Sequence, residues 1–417
     1  MGMFPVSDAR WLSRLTDHLQ KERYHWQIVA RWTAVAHYFL VHLRKHATRV
    51  EEAQPSDVAR YVRSERQRFY RRYHRHPTSI AGWRNSHTGG IHMLLRLVQG
   101  SWPPPVRSLS ARDRFQVSLT QEYAAWMQDR RGLATETCTG RCEEARRFLR
   151  WLGPRGIAVH LQQVGVADLD AYVSSRAASL RRVSLKGAVA SLRSFLRYLH
   201  ATGNTPRDLS VAIVGPRVYA DEAIPSALRA DDVRRVLAVT RGDHSAIGRR
   251  DYAILMLLAT YGLRAGEVTA LRLDDLDWRH ERIRIRHAKT RATSELPLLD
   301  DVGDALVQYL QHGRPAVTWR EVFIRSRAPY RPFRAGSSLY TPIRCRLNTA
   351  GITPAGKKGP HTFRHARAVS LLRAAVPAKH IGDILGHRSA ESTAVYLKLA
   401  TEDLRTVGLE IPTEVTA

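Results

Sequence analysis

Acidic side chains are in short supply in this chain. Its 417 residues carry 38 Asp and Glu against 66 Lys and Arg, a formal net charge of +28. A surface so unbalanced suits a polyanion, and the planar, permanently charged arginine that dominates the surplus suits phosphate contacts. Cysteine is scarce too. Three residues, an odd number without framework spacing, exclude a disulfide-stapled scaffold and fit a reducing compartment, so a cytoplasmic location is expected. Cys138 and Cys142 stand four apart on an expected helix, but no second pair completes a metal site, and they read as small, half-buried residues. No apolar run reaches membrane-spanning length, and the start MGMFPVSDARWLSRL lacks a basic segment followed by an apolar core. Neither a membrane span nor a leader peptide is therefore expected. The apolar share, 44%, is ordinary, and the length allows two or three domains with cores of their own.

Periodicity and breakers divide the chain. Residues 1–104 read as a helical module: Tyr38, Phe39 and Leu43 follow helical spacing, and a further helix is expected to start with Ser56 or Asp57 as its cap. That helix is dense in arginine, with Arg60, Arg63, Arg66, Arg68, Arg71, Arg72 and Arg75 interleaved with Phe69, Tyr70 and Tyr73, a composition suited to tracking phosphates. The breaker GSWPPP ends the module. Residues 105–205 repeat the plan. Phe39, Leu40 and Leu43 precede Phe148, Leu149 and Leu152 by 109 residues, and Asp57, Tyr61 and Val62 precede Asp168, Tyr172 and Val173 by 111. This reads as an internal duplication of a small helical unit. Residues 206–222, with Pro206, Gly215 and Pro216, read as a linker. Residues 223–412 form the last domain, followed by a tail, 413–417. There Asp231 is placed to cap a helix, DYAILMLLATYG reads as a central buried helix, and Gly262 and Gly266 flank a tight turn. From Leu271 the period changes to two, giving a small antiparallel sheet from LRLDDLDW, RIRIRH and SELPL, with GSSLY as an exposed connection further on. The expected fold is mainly α with this small antiparallel sheet: helical N-terminal modules, then a mixed α/β domain.

The chemistry gathers near the end, in HTFRHARAVSLLRAAVPAKHIGDILGHRSAESTAVY. His361 and Arg364 share a helix face. A short helix ends at Gly386, a natural terminator, placing His387 just beyond it. Tyr396 follows on another amphipathic segment. Two imidazoles, a guanidinium and a phenol, with no carboxylate or thiolate among them, suit a phosphate better than a metal. A phenol is a credible nucleophile once cations stabilise its oxyanion.

HTFRH followed by LGHRSAESTAVY resembles the C-terminal signature of the tyrosine recombinases, the phage-integrase family. The resemblance implies an arginine in a GLRxGE setting, which YGLRAGEV supplies at Arg264 with Glu267, and a lysine on a β-hairpin, which places Lys289. It covers about the last 190 residues well and the preceding hundred loosely. It implies that Tyr396 attacks a DNA phosphate and stays joined to the 3′ end. Arg264, Arg364 and His387 would then bind the nonbridging oxygens. Lys289 would protonate the leaving 5′-oxygen, and His361 would manage the tyrosine proton. Glu267 would fix Arg264 or His361 by a hydrogen bond, and His365 would pack against or support the pair. Neither metal nor cofactor is implied. Residues 105–205 resemble the family's core-binding domain, with Arg181, Arg182, Lys186, Arg193 and Arg197 as candidate phosphate contacts, joined by Arg63, Arg68, Arg71 and Arg72 from the first module. That first module is expected to be an arm-like DNA-binding or assembly unit. The implied partner is double-stranded DNA, held by a homo-tetramer on two duplexes or in company with related subunits, and no membrane is involved. Two other readings stay open: a type IB topoisomerase or telomere resolvase, and a DNA-binding subunit of a heteromeric transposon complex.

Overall fold

The structure, a computed structural model, describes residues 6–104, 110–218, 227–287, 292–354, 356 and 358–386. The chain divides into two compact units, one of residues 104–223 and one gathering 1–103 and 224–417. In the second of these, Arg23 donates to the Ala316 carbonyl at 2.8 Å and Arg331 pairs with Glu22 at 3.4 Å.

Residues 6–99 form four helices, α1 (Val6–Lys21), α2 (Trp26–Lys45), α3 (Pro55–Tyr73) and α4 (Ile80–Gln99). Their apolar residues fall at the three-to-four spacing that makes one buried stripe: Leu15 and Leu19 on α1, Phe39, Leu40 and Leu43 on α2, Ile91, Leu94 and Leu95 on α4. The cap of α3 differs from expectation. Gln54 is the N-cap and Pro55 opens the helix, where its missing N–H costs nothing. Asp57 sits one turn in and accepts the Gln54 N–H at 2.8 Å. Arg63, Arg66, Arg71 and Arg72 are exposed on α3, while Arg60 pairs with Asp57 (3.5 Å) and Arg68 with Glu65 (2.9 Å).

The unit of residues 104–223 contains α5 (Ala111–Arg131), α6 (Thr135–Leu152), α7 (Ala158–Leu161), α8 (Val166–Ala177) and α9 (Arg182–Ala201). Tyr123, Phe148, Phe195 and Tyr198 fill its core. Cys138 and Cys142 are buried in the core on α6 rather than half-buried, and burial pushes the Cys142 thiol above its ordinary pKa. Leu209 and Ile213 are buried in the same core, so packing extends into the stretch read as linker. Glu144 is the buried polar centre: it accepts from the Tyr172 hydroxyl at 2.7 Å and from Arg176 Nε at 3.0 Å. Burial alone would raise its pKa, but the bonds from Tyr172 and Arg176 outweigh that and hold it below its ordinary value. Tyr172→Phe removes one donor from a buried carboxylate and should destabilise this unit by about 1–3 kcal/mol, read by urea unfolding.

The last domain contains α10 (Ala230–Arg241), α11 (Ala246–Tyr261), α12 (Ala265–Ala270), β1 (Leu276–Asp277), β2 (Arg282–Arg286), β3 (Thr293–Pro297), α13 (Asp300–His312), α14 (Tyr340–Thr349), α15 (His361–Arg373) and α16 (Ala378–Leu385). Ala253, Ile254, Leu255, Leu257 and Leu258 on α11 are all fully buried, the mark of a helix enclosed on every side. Asp231 does not cap α10. The cap is Arg229, and Asp231 and Asp232 lie in the first turn, ion-paired with Arg234 and Arg235. The strands form an antiparallel sheet in the order β1-β2-β3, with Ile283 facing Leu296 and Ile285 facing Ser294. Ile283 and Ile285 point into the core while Arg282, Arg284 and Arg286 point out. GSSLY is not an exposed connection: Leu339 is fully buried, and a Cβ on Gly336 would lie 2.5 Å from the Gly266 nitrogen. The close approach thus demands a glycine at 336, whereas Gly266 lies within α12 and has space for a side chain.

Candidate active site

Two left-handed glycines organise the site. Gly262, φ +65°, ends α11, and a Cβ there would fall 2.7 Å from Leu385 Cδ2. Gly386, φ +61°, ends α16, and a Cβ there would meet the His287 ring at 3.1 Å. Each lets one chain reversal pass close against another, which an L side chain in that conformation would oppose.

Arg264 follows the first reversal as the N-cap of α12, three residues ahead of Glu267. That spacing forms a capping box: Glu267 Oε2 accepts the Arg264 N–H at 2.7 Å, and Oε1 accepts from Arg264 Nη1 at 2.9 Å. Arg264 Nη2 donates to the Gly386 carbonyl at 2.8 Å. Arg364 is buried one turn after His361 and reaches the same place from α15: Nη1 donates to the Gly262 carbonyl at 2.8 Å, Nη2 to the Leu385 carbonyl. Two guanidinium groups from widely separated segments therefore meet at the C-terminal end of α16, where helix carbonyls lack partners of their own and carry partial negative charge.

Glu267, itself buried, holds a third group. Its Oε1 lies 2.8 Å from His287 Nδ1, and His287 Nε2 lies 2.8 Å from Ser294 Oγ. An ionised carboxylate only accepts, so His287 carries its proton on Nδ1. Burial would raise the Glu267 pKa, but the bonds from His287 and from Arg264 overcome it and keep the carboxylate below its usual range. Glu267 thus bonds Arg264, and the imidazole it bonds is His287. The motifs alone do not single out His287, although the alternation that buries Ile283 and Ile285 places 287 on the same inward row.

His361 opens α15 and is exposed, and His365 stands one turn on, their rings 6.3 Å apart and tilted by 31°. Lys289, His387 and Tyr396 lie outside the described residues. His387 is the residue directly after the carbonyl that Arg264 holds. Among the candidate phosphate contacts, Arg181 and Lys186 are exposed on or beside α9. Three others donate to the chain's own backbone or side chains: Arg182 to the Arg217 carbonyl (2.7 Å), Arg193 to the Ile213 carbonyl (2.6 Å) and Arg197 to Ser210 Oγ (3.3 Å).

Residues 226–403 match the phage integrase family. The chain is 56% identical over 195 residues to y4gC of Sinorhizobium fredii, which carries the name integrase/recombinase, covering 46% of this chain and all of that one. It is 38% identical over 294 residues to a second integrase/recombinase of the same organism, y4rA, covering 70% of this chain and 71% of that one. Among solved structures, the XerH site-specific recombinase bound to palindromic difH substrate superposes with a TM-score of 0.55 at 14% identity, covering 73% of this chain and 98% of that one, a likeness of fold. The chain belongs to the phage integrase family, the tyrosine recombinases, enzymes that break and rejoin DNA strands.

The braced reversals give two tests. Gly386→Ala must hold alanine in a left-handed conformation, costing roughly 1–2 kcal/mol, and Gly262→Ala adds a closer clash with Leu385, so it should be the less stable variant on denaturant titration. Glu267 has a folded-state pKa below its unfolded value of about 4.3. Its contribution is complete above that value and fades as the pH falls through the lower, folded one. Wild type should exceed Glu267→Gln in stability at neutral pH, and the gap should narrow only in acid, as followed by unfolding at successive pH values.

Proposed function

We propose that the protein exchanges DNA strands at specific sites through a covalent 3′-phosphotyrosine on Tyr396, in the integration, excision or resolution of a mobile element. The phenol oxygen bonds to the scissile phosphorus as the bond to the 5′-oxygen breaks. The phenolic proton leaves toward His361, and Lys289 protonates the departing 5′-oxygen. Arg264 and Arg364 donate to the nonbridging oxygens, whose charge grows as phosphorus becomes pentacovalent, and His387 adds a further donor. A 5′-hydroxyl from a second strand then attacks the phosphotyrosine and releases the phenol. Because the energy of the broken ester is kept in the phosphotyrosine, the scheme calls for no nucleotide or metal.

The observation that carries this reading is the convergence of Arg264 and Arg364 on the Leu385 and Gly386 carbonyls, directly before His387. Arg264 uses two of its five N–H donors on Glu267 and Gly386 in these bonds, and its remaining donors suit an entering phosphate. Residues 105–205 would grip the duplex beside the break, with Arg181 and Lys186 as its phosphate contacts. Arg182, Arg193 and Arg197 would serve chiefly to hold the segment that follows. Strand exchange needs two duplexes, which suits a tetramer of this chain, alone or with related subunits, acting on double-stranded DNA in the cytoplasm at the nucleoid.

A nicked suicide substrate made from DNA flanking the gene tests the assignment. Wild type should yield a covalent protein–DNA adduct on denaturing gels, and Tyr396→Phe should yield none. An undiminished adduct in Tyr396→Phe would assign the nucleophile elsewhere.

A further inference from the structure

The two N-terminal helical modules are built, each around its own core, on the same pattern of buried positions. Leu15, Thr16 and Leu19 on α1 correspond to Leu119, Thr120 and Tyr123 on α5, and each threonine hydroxyl bonds the carbonyl four residues back, at 3.0 and 2.9 Å. Phe39 meets Tyr61 edge-on at 5.5 Å and 79°, and Phe148 meets Tyr172 edge-on at 5.1 Å and 72°. Asp57 reaches back to the Gln54 N–H as Asp168 does to the Gly165 N–H, at 2.8 and 3.0 Å. Ile91, Leu94 and Leu95 on α4 match Leu192, Phe195 and Leu196 on α9, which sets Arg96 in the position of Arg197. Four helices in the same order, with matching buried positions, caps and aromatic pair, are a duplicated fold.

Their surfaces differ. On α9, Arg193 and Arg197 are engaged by residues 210–213. The corresponding face of α4 borders an open cleft of about 620 Å³ between α3 and α4. Arg63 and Arg66 enter it from α3, Arg84 and Arg96 from α4, and Trp83 and Trp102 contribute apolar walls. No carboxylate lines it, and none of the four arginines is ion-paired among the described residues. His92, stacked on Trp102, is driven below its ordinary pKa by burial and then by Arg96 and Arg84, as a cationic cleft requires. Along α3, Arg63 and Arg66 at the cleft and Tyr70 and Tyr73 past it fall on one face, with both tyrosines exposed, a track of roughly 15 Å. Like charges gathered without counter-charge favour a bound polyanion, and aromatic faces beside them suit bases.

We propose that this cleft and the α3 track form a second DNA-binding site, in which Arg63, Arg66, Arg84 and Arg96 hold phosphates and the aromatic side chains face the bases or sugars of the same strand. The choice of DNA as the polyanion rests on the recombinase reading. The test uses the full chain with duplex DNA of about 60 base pairs from the gene's flanks, several times the length of the track, and the matching single strand. Arg84→Ala with Arg96→Ala is compared with Arg10→Ala and Arg31→Ala, which removes equal charge from exposed positions of the same module. The cleft variant should bind at least about 10-fold more weakly, with a log–log salt slope shallower by about 0.9 for each phosphate no longer neutralised, while the control changes little. Arg84→Lys with Arg96→Lys should retain most of the affinity. Loss on duplex alone, or on single strand alone, supports the site and identifies the form it takes. Equal behaviour of cleft variant and control on both probes overturns it. At protein concentrations that saturate the DNA, the cleft variant should still form the adduct on the suicide substrate. An absence of adduct in wild type as well would count against the recombinase reading, and the binding comparison would still decide the cleft.

Discussion

The end of α16 is the point on which the catalytic domain depends. Two helix-end carbonyls, Leu385 and Gly386, receive arginines that arrive from α12 and α15. Arg364 is also tied to the Gly262 carbonyl, two residues before Arg264, and Arg264 is tied through Glu267 to His287. Guanidinium groups pointed into an unstructured region would repel one another and lose rotamer entropy on ordering. Here the carbonyls and one buried carboxylate set their directions within the folded chain. Preorganisation of this kind places the cost of gathering positive charge in folding and spares it at the moment of reaction.

Glu267 is the economical part of that design. One carboxylate caps α12, orients Arg264 and fixes the His287 tautomer, and its burial is tolerable because donors surround it. The two glycines matter for the same reason: they let α11 and α16 end within contact distance, so that one backbone supplies acceptors to the other's arginines.

Much of this was legible in the sequence. The Arg264–Glu267 spacing is a capping box as well as a motif, the apolar DYAILMLLATYG is the buried α11, and Gly386 ends its helix as its position indicated. The repeat of Phe39 and Tyr61 in Phe148 and Tyr172 proved to be a repeat of packing. What escaped was tertiary. Nothing local reveals that Arg193 and Arg197 turn toward residues 210–213, because an exposed arginine's partner is chosen by whatever packs nearby. His287 was hidden by the density of charge around it, though its register was readable. The cap of α3 moved back to Gln54 because aspartate serves equally well one turn inside a helix. Gly336 needs its missing side chain only because α12 lies against it.

The role proposed for Arg264 and Arg364 is to offset charge on a phosphate being attacked. Replacing the scissile phosphate with a neutral methylphosphonate removes that charge from the substrate. Arg264→Ala and Arg364→Ala should cleave the ordinary diester poorly and recover adduct formation on the methylphosphonate, with wild type gaining little. If both variants stay equally inactive on the two substrates while remaining folded, the arginines serve some purpose other than the one assigned to them.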